Sequence, residues 1–517
     1  MRNALLLLAI TLLALVLRVV HLDSSPPGFF IDEASVGINA QGIATMGRDQ
    51  FGTAWPALFK ALGDWKHPLI VYGAAASVKL LGLSIFSVRL PAALFGCATV
   101  MLIALLAREL WPDKRNRYTG PVAALVLALM PWHVQYSRMA FESITFGATM
   151  VLASWLFLVA HRRGGAFSWS LAGAAFGLAL YSYTPAKLLV PAFVCALFAA
   201  QTLANQRAEV AVRRAPDAPG AAWLVGAMVL VAVPMLVTQA QHFAEIQGRF
   251  NSVSVLREPA PLRAAATSYF AHLDPRFLFI DGDHNPRHGW RHWGELLVVT
   301  APFALAGLLL ALRRRSASDL FVIAWLLLYP LGGATTSEGI PHASRSFLAA
   351  PLFALLTAYG FIGVVGRLRN VRTQRAVVLV SALLFTVNAA AALRWYFVKY
   401  PAYAALAWSA GFEDIVRTLE ADRARFSAAH VAAGNWIAPE HLQVFNGFDP
   451  SGPNGWKLDP YYQWSFDGDT AHALASLQPS DGLIARLDQL PGVQPELQAA
   501  DPTGTVRWGV FRGTASR

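Results

Sequence analysis

Long apolar runs separated by short basic loops fill the chain from residue 4 to about residue 395. A helix that crosses a bilayer needs about 20 mostly apolar residues. Eleven runs read as spans on that measure: 4–22, 88–107, 119–136, 144–160, 168–183, 186–203, 221–239, 293–312, 319–336, 346–365 and 376–395. Residues 68–82 form a shorter run that contains Lys79 and ends at Gly82, and they read as a helix lying in the outer interface. Three polar stretches are long: 23–87, 240–292 and the tail after about 396. In the tail the pattern changes. It predicts an amphipathic helix over Gly411–Phe426 and short strands such as His430–Ala433 and Arg507–Phe511, divided by Gly, Pro and Asp turns. The expected fold is mostly α: a polytopic membrane helical bundle over 1–400, with a small C-terminal α/β domain over 401–517.

Charge gives the bundle a direction. With the N-terminus inside, the inner loops carry Arg2; Lys114, Arg115 and Arg117; Arg162 and Arg163; Arg207, Arg213 and Arg214; Arg313, Arg314 and Arg315; and Arg367, Arg369, Arg372 and Arg375. The short outer turns carry one base each, Arg138, Lys187 and Arg345. That asymmetry is the positive-inside pattern, and counting 68–82 as a span would reverse it for every later loop. The reading is a bacterial inner-membrane protein with a cytoplasmic N-terminus and a periplasmic C-terminal domain. The first run is followed by His21 and Asp23 rather than by small residues, so it reads as a retained span and not a cleaved signal.

Composition agrees. Only 14% of the 517 residues are charged and 55% are hydrophobic, against about 25% charged in soluble domains. Mean hydropathy is +0.43. The net charge of +11 does not signal a nucleic-acid partner, because its excess lies in the topology-setting loops. Residues 401–517 hold thirteen acids and eight bases, a net of −5, which leaves +16 for the membrane part. Cys97 and Cys195 both lie inside apolar runs and predict no disulfide.

The candidate chemistry sits in the outer segments. Pro26 and Pro27 stop the first run, and Asp32 and Glu33 then open a helix expected to run to about Met46, with Gly47 as its stop. Two acids there read most simply as an N-cap, Asp32, and a first-turn acid, Glu33. They also read as a carboxylate base at the membrane surface beside Phe29 and Phe30. Glu142 lies in the second outer turn, where pairing with Arg138 is the plain alternative. Lys66 and His67 precede the interfacial helix at headgroup depth, where lipid snorkelling competes with phosphate binding. His342 and Arg345 lead into the tenth run, and an arginine fork suits phosphate oxygens. The 240–292 stretch ends in a dense polar segment with Asp281, Asp283, His284, Arg287, His288 and His292. His and Asp are metal ligands, but no cysteine spacing accompanies them. A polar sugar- or phosphate-binding loop is the preferred reading. A divalent metal is compatible but not implied, and no other cofactor is expected. Glycine-rich phosphate loops, Gly-x-Ser-x-Gly, His-Glu-x-x-His and Cys-x-x-Cys are all absent from the sequence.

Four stretches in order resemble the polyprenyl-phosphate-sugar-dependent membrane glycosyltransferases (family 39-like, of the protein O-mannosyltransferase and aminoarabinose-transferase type). They are Asp32-Glu33; Gly47-Arg48-Asp49; Lys66-His67-Pro68-Leu69 with Lys79-Leu80-Leu81-Gly82; and Ser87-Val88-Arg89-Leu90-Pro91-Ala92. Glu142, Arg345 through Pro351, and Gly282-Asp283 through His288-Gly289 add to the resemblance, which covers roughly residues 1–400. It implies the fold known as GT-C and an inverting transfer of a sugar from a polyprenyl phosphate. The acceptor would be a hydroxyl of an envelope glycolipid, polysaccharide or protein. It implies Asp32 as base, with Glu33 and Glu142 positioning acceptor or sugar. Lys66, His67, Asp283, Arg287, His288, His342 and Arg345 would bind donor and phosphate. Membrane lipids, the lipid-linked donor and the acceptor are the implied partners. Two departures stand out: His67, not lysine, directly precedes the proline, and the second-turn acid is Glu142 where relatives often carry Asp. The Trp-Trp-Asp signature of oligosaccharyltransferases is absent. The competing reading is a transporter or flippase for lipid-linked sugars, which would place its polar groups at mid-membrane.

Overall fold

The computed structural model describes residues 2–207, 218–432, 437–446, 448–452, 455–465 and 469–514. Arg213, Arg214 and Ala433 lie outside these described residues. Every one of the eleven apolar runs is helical at its centre. Among the described residues, six helical segments are long and apolar enough to cross a membrane: Ile85–Leu110, Glu142–Arg163, Ala186–Gln206, Pro219–Gln241, Ala317–Ala334 (interrupted at Tyr329-Pro330) and Val371–Val398. Shorter apolar helices occupy other runs, among them Asn3–Val19, Ala166–Leu180 and Ala349–Val365. Pro68–Leu81 is the short helix expected before the second span.

Three expected runs are not single helices. Residues 119–136 divide into Thr119–Leu129 and Pro131–Tyr136, with Met130 extended at ψ 126° between them. Pro131 is the cause, since the residue before a proline is driven out of helical geometry. The Ala317–Leu328 helix ends at Tyr329-Pro330 and a short turn, Leu331–Ala334, follows. The 293–312 run becomes helical only at Ala301, after a short tight turn over Val298–Thr300.

The chain divides into two compact units. The first comprises Met1–Val20, Ala57–Ile70 and Ala92–Tyr396. Its helices meet at glycine contacts. In the Ala301–Arg314 and Ala349–Val365 pair, a Cβ on Gly360 would lie 1.9 Å from the Phe303 carbonyl oxygen and one on Gly307 2.0 Å from that of Leu356. Small residues let membrane helices approach until backbone touches backbone. Two buried arginines close the end of the first helix, Arg2–Val19. Arg18 donates to Ala14 O at 3.0 Å and Ala128 O at 3.2 Å and bonds His133 Nδ1 at 2.7 Å. Arg138 donates to Leu17 O at 2.7 Å and Val20 O at 2.8 Å. The last carbonyls of a helix have no partner within it, and these guanidinium groups supply one. Arg138 is therefore spent on the first helix rather than on Glu142. A small hairpin of β1 (Phe59–Ala61) and β2 (Asp64–Lys66), antiparallel, carries Lys66 at its end.

The second unit comprises His21–Pro56, Val71–Pro91 and Phe397–Arg517. It joins most of the first polar stretch to the tail. The tail is α/β, with strands β3 (Ala429–Ala432), β4 (Tyr462–Ser465), β5 (Gly482–Arg486), β6 (Leu497–Ala500) and β7 (Val506–Arg512). They form one sheet in the order β4-β3-β5-β7-β6. β3 pairs parallel with β4 and β5, whereas β7 pairs antiparallel with β5 and β6. The amphipathic helix forms as Phe412–Ala421, shorter than the expected 411–426, because a tight turn at Arg423–Arg425 ends it. It buries Phe412, Ile415, Val416 and Leu419 with Val431, Ile484 and Val510 of the sheet. His441 ties the tail to the first polar stretch: its Nε2 meets Phe29 O at 3.0 Å, while its Nδ1 accepts from Ala438 N at 3.1 Å.

Candidate active site

In the second unit the Ile31–Met46 helix begins on Phe30, which is extended at ψ 152°. Asp32 and Glu33 are its second and third residues. The cap expected at Asp32 is thus one element of a different start: Phe30 N donates to Glu33 Oε2 at 3.3 Å. The helix ends as expected, with Gly47 left-handed at φ 67°, a conformation a Cβ would strain. Asp32 is half-buried, whereas Glu33 is fully buried.

Glu33 is held by Arg89, which is also fully buried. Arg89 Nε reaches Glu33 Oε1 at 2.9 Å and Nη2 reaches Oε2 at 2.7 Å, a two-pronged fork. The remaining donors close the chain around it, to Leu22 O at 3.1 Å, Pro26 O at 2.8 Å and Gly28 O at 2.7 Å. Phe29 and Trp408 cover the guanidinium, 5.9 and 5.5 Å from its carbon. One ion pair thus fixes the Leu22–Gly28 turn and the first turn of the helix that carries Asp32. A cavity of about 370 Å³ in this unit is lined by Phe29, Phe86, Phe412 and Asp414, not by Asp32 or Glu33.

In the first unit a second group assembles. Glu142 opens the Glu142–Arg163 helix. Its Oε1 accepts a short bond from the His67 backbone N–H and lies 3.3 Å from His67 Nδ1. His67 is 2% exposed, and its Nε2 has no hydrogen-bond partner. From the same helix Ser143 Oγ meets Ser344 Oγ at 3.2 Å, and Tyr183 OH meets Ser344 at 3.1 Å. The 339–348 turn is thereby joined to the helix end that holds Glu142.

Asp283 is buried at the centre of the polar segment. Its Oδ2 accepts from Ala343 N at 2.8 Å and lies 3.3 Å from His288 Nδ1, and its Oδ1 accepts from Asn285 N at 2.8 Å. The rings of His288 and His342 lie 4.6 Å apart. His342 N donates to His272 Nε2 at 3.0 Å, and His272 Nδ1 meets Ser268 O at 2.6 Å, so the His272 ring is neutral with its proton on Nδ1. Burial holds the His342 imidazole well below its ordinary range, and His288, Arg345, His272 and Arg287 push it the same way. Four basic or imidazole groups therefore surround one neutral ring. Arg345 donates to Thr336 Oγ1 at 2.7 Å and Glu338 O at 2.8 Å, and pairs with the exposed Glu338 carboxylate at 3.1 Å. Arg287 is anchored through its backbone: N bonds Asn285 Oδ1 at 3.1 Å and O accepts from Gln135 Nε2 at 2.8 Å.

Asp283, His288 and His342 present ligand atoms all within 4.8 Å of one another. Two imidazoles and a carboxylate are a donor set that suits zinc, and the unpartnered His342 Nδ1 fits a ligand role. A bound cation would add positive charge beside the arginines.

The bundle of apolar helices carrying this polar constellation can be compared with solved structures. ArnT from Cupriavidus metallidurans, bound to undecaprenyl phosphate, superposes with a TM-score of 0.56 at 15% identity, over 99% of each chain. The oligosaccharyltransferase AglB from Archaeoglobus fulgidus, in complex with an inhibitory peptide and a dolichol-phosphate, gives 0.52 at 15% identity. That match covers 86% of this chain and 63% of the archaeal one, so the chain spans less than two thirds of that enzyme's length. The chain has the fold of the polyprenyl-phosphate-dependent membrane glycosyltransferases. Residues 66–237 also match the family model described as dolichyl-phosphate-mannose-protein mannosyltransferase. No curated protein matches. The matched stretch contains Lys66, His67 and Glu142 and the apolar runs that make this a multi-pass membrane protein.

Asp283, Arg287 and His288 stand out in the sequence by density of polar residues, and His342 and Arg345 by their place in the outer turn before the tenth run; the structure brings them together around His342. It likewise joins His67 to Glu142. Arg89 stands in the sequence only within the Ser87–Ala92 stretch, because its partner lies 56 positions away. His272 and Tyr136 were missed: each ends a segment of unremarkable composition, and only folding turns it toward Asp283.

Proposed function

We propose that the protein transfers a sugar from a polyprenyl phosphate to a hydroxyl of an envelope glycolipid, polysaccharide or protein, at the outer face of the inner membrane. The observation that carries this reading is the basic and imidazole shell around His342, formed by Arg287, His288, Arg345 and His272 beside a buried carboxylate. Such a shell suits a phosphate that gains charge as it leaves. Lys66 and the His67–Glu142 pair extend the same binding role.

In this reading the Asp32 carboxylate takes the proton of the acceptor hydroxyl. The acceptor oxygen attacks the anomeric carbon from the face opposite the phosphate. The bond from that carbon to the phosphate oxygen breaks, and its electron pair leaves with the lipid phosphate. The configuration inverts once. Glu33 works through Arg89 to orient the first turn, and Glu142 works through His67. A cation at Asp283, His288 and His342 would supply charge stabilisation for the phosphate. Transport of the lipid-linked sugar alone is disfavoured, because these polar groups sit at helix ends and in loops rather than on broken helices within spans.

Mass analysis of envelope glycolipids and glycans from a strain lacking the chain tests the reading. The expected result is loss of one sugar, with the donor accumulating where externally added reagents reach it. An unchanged set of glycans, or a donor trapped inside, would contradict it.

A further inference from the structure

Asp283, His288 and His342 come from two separate outer segments, and each offers a ligand atom within 4.8 Å of the other two. Asp283 Oδ2 and His288 Nδ1 are 3.3 Å apart. Ligand atoms of a tetrahedral zinc ion, each 2.0–2.1 Å from the metal, are separated by about 3.4 Å. That edge therefore already has the spacing an ion needs. The His288 and His342 rings lie 4.6 Å apart with their planes inclined by 31°. His342 Nδ1 is sealed from solvent and has no hydrogen-bond partner. A protonated His288 paired with Asp283 would account for the 3.3 Å approach without a metal, but not for the orphaned Nδ1 of His342. The ligands are also held from behind. Asp283 accepts from Asn285 N and Ala343 N, both at 2.8 Å, and its own N–H donates to Glu295 Oε1 at 2.9 Å. His342 N–H donates to His272 Nε2 at 3.0 Å, and His288 N–H to Asn285 O at 2.8 Å. Outer contacts of this kind fix the direction of metal ligands.

We propose that Asp283, His288 and His342 bind one zinc ion, with a fourth position open to an oxygen of the donor's phosphate. Two imidazoles and one carboxylate select zinc over magnesium or calcium, which take oxygen ligands. Three protein ligands with an open fourth position are the pattern of zinc sites that meet a substrate rather than brace a fold. The neighbouring positive charge of Arg345 is engaged by the Glu338 carboxylate at 3.1 Å. The three ligands stand on their own geometry; only the fourth position rests on the transferase reading above.

The test is zinc titration of the full-length, tag-free protein in nanodiscs after removal of metal, with bound zinc counted by mass spectrometry. The expected result is about one zinc per chain, not displaced by magnesium. His342→Gln and Asp283→Asn should each weaken zinc binding by at least about tenfold. X-ray absorption of the zinc-loaded wild type needs no variant, and it should show two imidazoles and no sulfur. A wild type that holds no zinc overturns the inference. So does equal binding by both variants, or a spectrum with sulfur or without imidazole, because the ion would then lie elsewhere. None of these results touches the transferase reading, which needs only the basic shell. Undecaprenyl phosphate without a sugar is then titrated into the zinc-loaded and zinc-free wild type. A Kd tightened about tenfold by zinc is expected, and an equal Kd overturns the open fourth position. Failure of both forms to bind undecaprenyl phosphate would contradict the transferase reading while leaving the three zinc ligands in place.

Discussion

Glu33 and Arg89 are both fully buried, and each satisfies the other through two bonds. Desolvating two charges is expensive, so such a pair contributes little net stability over a well-packed apolar replacement. Breaking it is another matter. Arg89→Met leaves a lone buried carboxylate and three carbonyls without their donor, and should cost about 3–5 kcal/mol. Adding Glu33→Gln to that variant should recover part of the loss. Thermal unfolding of the two single variants and the double variant checks this; purely additive losses would show that the two groups do not act as a pair. The sequence placed Glu33 in the first turn of its helix, and the local signals of proline, acid and glycine were enough for that. The arginine that decides what Glu33 does could not be read locally, because only the fold brings residue 89 to it.

Helices were the legible level. Apolar length alone located all eleven runs, since a helix must satisfy its own backbone in lipid. Pro131 and Pro330 broke two of them, a consequence of local chemistry that a length count overlooks. Helix contacts were less readable, because glycine is common in such runs and only a few face a neighbour. Gly360 is one that does: with its Cβ 1.9 Å from Phe303 O, Gly360→Ala must push two helices apart. The cost should be about 1–3 kcal/mol or more. Gly226 has open space around the equivalent position, so Gly226→Ala should be tolerated. A comparison of the melting temperatures of the two alanine variants checks the claim, and equal values would count against the close contact.

Across the whole molecule, the buried charge and imidazole groups set a pH response. Burial lowers His441 from 6.5 to about 4, with the Phe29 and Ala438 carbonyls pulling weakly the other way. The unfolded chain therefore takes up this proton first. Stability contributed here is complete above pH 6.5 and is lost as pH falls from 6.5 toward 4, by on the order of 3 kcal/mol at the lower end. Melting temperature measured from pH 7.5 to 4.5 should fall on the acid side, and His441→Gln should flatten that fall; an equal slope in the variant would remove His441 as the cause. The tail's strands and amphipathic helix were legible from alternation and periodicity. Its union with residues 21–56 was not, because it depends on long-range contacts such as His441 with Phe29.

The transferase account turns on Asp32, which occupies the second position of its helix rather than the cap. Asn at that position keeps the shape and removes the base. The direct measurement is mass analysis of envelope glycans in a strain lacking the chain, complemented with equal membrane levels of the wild type or Asp32→Asn. The account predicts that the wild type restores the missing sugar and that Asp32→Asn does not, with transfer reduced at least about a hundredfold while the protein still folds and binds undecaprenyl phosphate. Full restoration by Asp32→Asn would contradict it.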